Sequence, residues 1–339
     1  MPDAEQECVP LPSVTLQAGE EESNRVTGGH KLIAEDVNGL PSGQAAPVIR
    51  LDGAGEPCPA PLLWQEVLRE FVRDSRPWEI ESGQFVIRGH TWGSGPPLFL
   101  LNHFVGTAEL YSLLVWLLRD SFCCVVFDIH SRRHPTSANM TIADFGRCLM
   151  DVADRQQDRR FVVYGAGFGA ALGLQAALDH PDRISQLILQ HGFARRRLTV
   201  FERLLAAACA RSHRTLAELP QRRRFQAVNH QPWFPPFDPT RLEFLVESTG
   251  GLRLSDLAQQ AQAVHRLDLI SHLSSISCPV TLLRTEGEGR VAAESQDLLA
   301  KSLPHVKEEW LHSAGQHPYL THPHRVAKII RAACGMEAV

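Results

Sequence analysis

No stretch of this sequence is apolar for long enough to cross a bilayer. Its first residues carry Asp3, Glu5 and Glu7 and lack the apolar core of a secretory signal. Neither a membrane span nor a secretory leader is expected, and the expected compartment is the cytoplasm. The chain also lacks a strong charge of either sign. Its 34 Lys and Arg against 38 Asp and Glu leave a net charge of −4, which gives no general attraction for nucleic acid. None of the eight cysteines forms a C-x-x-C pair, and most, such as Cys123 and Cys124, lie in apolar runs. They read as buried reduced thiols. No internal repeat is visible, and no metal or cofactor is expected.

What is present is an ordinary globular composition, 44% hydrophobic and 21% charged, enough for one large α/β domain with appendages. Residues 1–60 are rich in Gly, Pro, Ser and acids, with Glu20, Glu21 and Glu22 in a row. Without hydrophobic periodicity they cannot bury enough surface to offset ordering entropy, so a disordered acidic arm is expected. Leu62, Leu63, Val67, Phe71 and Val72 then recur at helical spacing, which predicts an amphipathic helix over 61–76. From residue 77 onward strands and helices alternate. Strands are expected at 85–90, 97–102, 123–128, 160–164, 184–190, 280–284 and 306–311. Helices are expected at 108–118, 141–155, 168–178, 294–302 and 323–334. Such alternation implies a doubly wound, mostly parallel sheet. Residues about 194–270 break the rhythm with helical patterns at 201–210 and 241–246, and read as a helical insertion.

The sharpest local signal is Tyr164-Gly165-Ala166-Gly167-Phe168-Gly169-Ala170, between an apolar strand and an Ala/Leu-rich helix. It has the shape of the nucleophile elbow G-x-S-x-G, but Gly167 stands at the nucleophile position. A glycine has no atom with which to attack a carbonyl.

Several further stretches give the pattern a family. His180-Pro181-Asp182-Arg183-Ile184 precedes the sixth strand and Cys278-Pro279-Val280 opens the seventh. With the elbow and the element order, residues 78–335 resemble the α/β-hydrolase superfamily. Within it, three stretches are similar to the maspardin group: Phe104-Val105-Gly106-Thr107-Ala108-Glu109, Phe244-Leu245-Val246-Glu247-Ser248 with Asp256-Leu257-Ala258, and Gly315-Gln316-His317-Pro318-Tyr319-Leu320. The resemblance implies an α/β-hydrolase fold with a helical cap at the insertion. It also implies triad positions at Gly167 for the nucleophile, Glu288 for the acid and Gln316 for the base. His317 lies one place beyond the base position. The oxyanion-loop His-Gly pair falls on Asn102-His103. Gln cannot shuttle a proton near neutral pH, and losing one member of such a unit costs about as much as losing all of it. The expectation is a degenerate triad on a non-catalytic binding or interaction protein.

Two other readings stay open. The first is an unconventional hydrolase or lyase that uses His317 and Glu288, with His103 nearby. The second is a dinucleotide site, because Gly165-x-Gly167-x-x-Ala170 fits G-x-G-x-x-A and Arg195–Arg197 could meet a 2′-phosphate. Against that site, the next strand ends in Gln190-His191, with no acid for a ribose. Asn102, His103, Phe104, Phe168 and His317 are the candidate pocket residues. The helix start at Phe168 and Gly169 offers amides to a small anion. Arg222, Arg223, Arg224, Trp233 and Phe234 are candidates for a protein partner that engages the cap, as aromatic anchors and a basic patch.

Overall fold

The computed structural model describes residues 63–132 and 140–336. The predicted acidic arm lies outside the described residues. The chain enters through helix α1 (Trp64–Asp74), which buries Val67 and Phe71 one turn apart. This helix is shorter than the 61–76 expectation because an edge strand begins where a helical tail was expected. Strand β1 (Arg76–Ser82) pairs antiparallel with β2 (Phe85–Trp92). Its Arg-Pro-Trp-Glu-Ile-Glu-Ser composition hides it from a search for apolar runs, since only one of its residues is buried.

The remaining strands follow: β3 (Pro97–Leu101), β4 (Cys123–Ser131), β5 (Phe161–Ala166), β6 (Ile184–Gln190), β7 (Val280–Thr285) and β8 (Val306–Leu311), the last at the opposite edge from β1. They join β1 and β2 in one eight-stranded sheet, ordered β1-β2-β4-β3-β5-β6-β7-β8. β2 meets β4 antiparallel, and every pairing from β4 through β8 is parallel. All six residues of β5 are buried. That is the pattern of a strand covered on both faces, where no polar alternation is needed.

Alternate residues of each strand feed two cores. Phe99, Val125, Val163 and Leu187 pack on one face of the sheet, whereas Leu98, Leu100, Val126, Tyr164 and Ile188 pack on the other. Helices α2 (Ser112–Leu118), α3 (Ile142–Gln156) and α4 (Phe168–Asp179) cover these faces. The start of α3 is a reciprocal cap. The Asp144 carboxylate accepts from the Thr141 amide at 2.7 Å, and the Asp144 amide donates to the Thr141 hydroxyl at 3.3 Å. α4 is apolar nearly all round and almost entirely buried, which fixes the elbow at its N-terminus to the sheet.

Between β6 and β7 lie α5 (Val200–Cys209), α6 (Arg222–His230), α7 (Thr240–Ser248) and α8 (Leu254–Arg266). α6 and α8 were not anticipated. α6 is mostly polar and buries no residue fully, so it carries no strong hydrophobic period. The Trp64 indole donates to the Thr240 hydroxyl at 2.8 Å and stacks on Phe244 at 4.5 Å, which ties α1 to α7. After β7 come α9 (Arg290–Ser302), the single turn α10 (Pro318–Thr321) and α11 (Pro323–Ala333). Six described cysteines are free thiols. Among the described residues no helix is long and apolar enough to cross a membrane.

Candidate active site

The chain turns from β5 into α4 at Gly167, whose φ is +52° and ψ is −102°. Its amide donates to the Gln190 carbonyl at 2.8 Å. L-residues rarely adopt this φ, and glycine adopts it without the strain of a side chain. A Cβ placed on Gly167 would lie 2.4 Å from Cδ2 and 2.6 Å from Nε2 of His103. An imidazole therefore fills the space that a nucleophile side chain would need. The two departures from the family pattern are complementary: a glycine at the elbow makes room for a histidine from the loop after β3.

That histidine is one of four that converge at the C-terminal ends of the parallel strands. His103 lies 6.3 Å from His191 and 6.2 Å from His317, ring centre to ring centre, and His317 lies 4.8 Å from His230. Burial pushes His103 down to about 4, with His230 and Arg196 adding repulsion. Burial pushes His191 down to about 3, with His103 adding to it. It also holds His317 well below its usual value, helped by the other three histidines, and lowers His230. The cluster is therefore a neutral one at pH 7. Among the described residues, no group of His, Cys, Asp and Glu is placed to hold a metal ion.

The loops that carry the remaining triad positions meet, with the Gly287 amide donating to the Ala314 carbonyl at 3.0 Å, but Glu288, Gln316 and His317 are each bonded to other partners. Glu288 is buried and accepts from the Gln296 amide at 2.5 Å, with Arg284 at 3.8 Å. Burial raises its carboxyl above the usual range. Its nearest imidazole is His191, at 3.9 Å. That contact is too long for a hydrogen bond; the hydrogen bonds of His191 are to the Thr285 hydroxyl at 3.0 Å, through Nε2, and to the Gln190 side-chain amide at 3.3 Å, through Nδ1. His317 shares a hydrogen bond of 2.7 Å with the buried Tyr319 hydroxyl, whose proton burial holds in place. The pairing of His317 with Glu288 expected for an unconventional enzyme is thus not assembled. The Gln316 carbonyl accepts from the Gln190 amide at 2.7 Å, which anchors the loop after β8 to the end of β6.

His103 stands between two cavities. A narrow one of about 50 Å³ is lined by Asn102, Phe104, Asp128, His130, Phe168 and Asp256. In it the Asp128 carboxylate accepts from the Asn102 amide at 2.8 Å and from the Ala108 backbone at 3.0 Å. Burial raises Asp128 to about 6. Phe168 is a wall, 5.4 Å from Phe104 and 5.1 Å from Phe145. Of the two amides proposed for an anion, Gly169 already donates to the Asn102 carbonyl at 2.9 Å, which leaves Phe168. The wider cavity, about 440 Å³, opens beneath α6 and is walled by Val105, Leu216, Leu219, Phe225, Leu245 and the imidazoles of His103, His230 and His317.

The residues expected to meet a protein partner divide. Phe234 is buried in the core and is no surface anchor. Trp233 lies over Gly287 and Gly315, where an added Cβ would come within 2.4 and 2.5 Å of its indole. It packs the loops after β7 and β8 against the cap. Arg222 lines the wide cavity, and Arg223 pairs with Glu247 at 3.5 Å on the surface. The exposed aromatic of that loop is Phe237, at 85%. Arg195 and Arg197, suggested for a 2′-phosphate, both pair with Asp268, at 3.5 and 3.3 Å. Sequence reasoning missed His191, His230 and Asp128. Position was the one signal for His191, directly after β6, and for His230, at the last turn of α6; Asp128 lies inside β4 and had none.

The order of elements, the elbow and the cap agree with one family, and a model described as the alpha/beta hydrolase fold matches residues 96–323. The chain belongs to the α/β-hydrolase fold family. Curated relatives include the Klebsiella pneumoniae (strain 342) protein named "Putative carbamate hydrolase RutD". It is 27% identical over 233 residues, which span 62% of this chain and 80% of the relative. The RutD protein of Escherichia coli O17:K52:H18 is 25% identical over 249 residues, or 68% of this chain and 84% of that one. Among solved structures, a Pseudomonas aeruginosa PA01 hydrolase superposes with a TM-score of 0.66 at 20% identity. The match covers 77% of this chain and 98% of that one. The enol-lactonase of Burkholderia xenovorans LB400 gives 0.65 at 16% identity, covering 76% and 100%. These structural likenesses establish the fold.

Proposed function

We propose that this protein is a small-molecule enzyme of the α/β-hydrolase family that works through imidazole instead of serine. The observation that carries this is the His103 ring, which stands in the nucleophile's place and opens onto the wide cavity. A neutral imidazole there can accept a proton from a water attacking a bound carbonyl. We assign the oxygen that gains charge to the Phe168 amide, at the start of α4 on the narrow-cavity side of His103. A base pushed down to about 4 is unprotonated at neutral pH but weak, so turnover slower than that of a serine hydrolase is expected. Hydrolase relatives support this reading, and carbamates and small esters are the first substrates to try.

The second reading is a binding protein without turnover, as the maspardin-like stretches suggested. One observation favours it: Glu288 and His317 are hydrogen-bonded to Gln296 and Tyr319, and among the described residues no carboxylate is hydrogen-bonded to the His103 imidazole. The relatives reported above lend no support to the narrower maspardin grouping. Comparing wild type with His103→Ala and His317→Ala on aryl carbamates and p-nitrophenyl esters decides between the readings. The enzyme reading predicts a loss of roughly 10²-fold or more for His103→Ala. Equal background from all three proteins favours the binding protein.

A further inference from the structure

The wide cavity contains a cation that no carboxylate of the described residues pairs with. Arg222 is half-buried, and its Nη2 donates to the Val246 carbonyl and the Thr249 hydroxyl. Both acceptors are neutral. The other partly buried arginines of this region meet carboxylates, Arg241 on Asp238 at 2.8 Å and Arg253 on Asp256 at 2.9 Å. No carboxylate of the described residues forms an ion pair with Arg222, and no Asp or Glu lines the cavity. The Arg222 Nε is buried without an acceptor. One turn along α6, the Gln226 Oε1 is buried without a donor. Their spacing of four places both on one face of the helix, about 6 Å apart along its axis. A guanidinium out of water is costly without an anion, and an unpaired amide oxygen adds to that cost. Around them the walls are apolar, with Leu216, Leu219 and Phe225, and the cavity's volume suits a molecule of drug-like size.

We propose that the cavity beneath the cap binds an apolar monocarboxylic acid that carries a hydrogen-bond donor near its carboxylate. The carboxylate pairs with the Arg222 guanidinium, the Gln226 side chain on the cavity wall turns its amide so that Oε1 accepts from the donor, and the apolar body packs on Leu216, Leu219 and Phe225. The proposal takes the site from the functional reading above and names what it selects. A second anion would lack a cation, and an uncharged ligand would leave Arg222 unpaired. Both are disfavoured by the same physics that leaves Arg222 open now.

N-octanoylglycine, its methyl ester and octanoic acid, titrated by calorimetry into the full chain, test it. N-octanoylglycine should bind roughly tenfold or more tightly than its ester, because the ester loses the charge-assisted bond to Arg222. In Arg222→Gln that preference should vanish while ester binding stays, and Arg222→Lys should restore part of it. Gln226→Leu should weaken N-octanoylglycine and leave octanoic acid unchanged. Equal binding of acid and ester to the wild type overturns the proposal, as does an acid preference that survives Arg222→Gln. The ligand-side comparison stands even where a variant folds poorly. Acid-selective binding without hydrolysis of any carbonyl substrate removes the enzyme reading and keeps this site. Carbamate turnover with no acid preference does the reverse.

Discussion

The two ends of the family's catalytic array have departed in opposite ways. At the elbow the backbone is kept and the chemistry is gone. Gly167 holds the positive φ and the turn into α4, but the space for a nucleophile belongs to His103. At the loops after β7 and β8 the chemical groups are kept and their geometry is gone. Glu288 and His317 survive as residue types, both buried, yet each is bonded to a different partner, Gln296 and Tyr319. A fold therefore persists by backbone close approach and buried strands, while chemistry depends on which side chain fills a few ångströms of space. The first changes slowly because it is spread over a whole core. The second changes with a pair of substitutions.

Restoring serine at the elbow is the harshest way to break that contrast. Gly167→Ser puts a Cβ 2.4 Å from the His103 ring at a backbone angle that penalises side chains. Overpacking and strain together should cost roughly 4 kcal/mol, read by urea denaturation. A cost under about 1 kcal/mol would mean that His103 swings away freely, and the elbow would then be open to a nucleophile. It also follows that pairing this change with Gln316→His is insufficient to rebuild a triad while His103 stays in place.

The histidine cluster gives the next largest effect, through pH. Each imidazole is held below its ordinary 6.5, His103 at about 4 and His191 at about 3. The unfolded chain therefore takes up protons first as pH falls. The stability of neutral imidazoles is fully present above about 6.5 and drains as pH drops toward these values. Asp128, raised from 3.8 to about 6, works the other way, because its folded form prefers the proton. The shifts of His103 and His191 against that of Asp128 predict a net loss on the order of 3 kcal/mol between pH 7.5 and 4.5, with the lowered His230 and His317 adding to the loss and the raised Glu288 opposing it. His103→Phe and His191→Phe should flatten the curve. An unchanged slope in both would show that the imidazoles are solvated.

Much of the frame was legible from the chain alone. The parallel strands were visible because strands buried on both faces read as continuous apolar runs, as β5 and β6 do. The start of α3 was visible because Thr141 and Asp144 form a reciprocal cap. Edge strand β1 was not, since an exposed edge needs no apolar pattern, and neither was α6, whose Arg and Gln residues look solvated in sequence. The site was half legible. Gly167 and Glu288 were placed by motif, but His103 could only be called a pocket residue, because nothing in a linear sequence says which side chain a missing Cβ admits. His191 and His230 reach the cluster only through the crossover from β6 and the docking of the cap.

The smallest effect sharpens the other end. Tyr319→Phe removes one buried hydrogen bond from His317 and should cost about 1 kcal/mol. Any change in turnover larger than that cost converts to would put His317 in the chemistry and weaken the case for His103.

If His103 holds the place of the absent nucleophile, its ring and any side chain at Gly167 compete for one space, and a double-mutant cycle on stability reads that competition. Urea denaturation of wild type, Gly167→Ser, His103→Gly and the pair measures the coupling between the two positions. His103→Gly should rescue Gly167→Ser by more than about 1 kcal/mol. Additive costs, with no rescue, would contradict it.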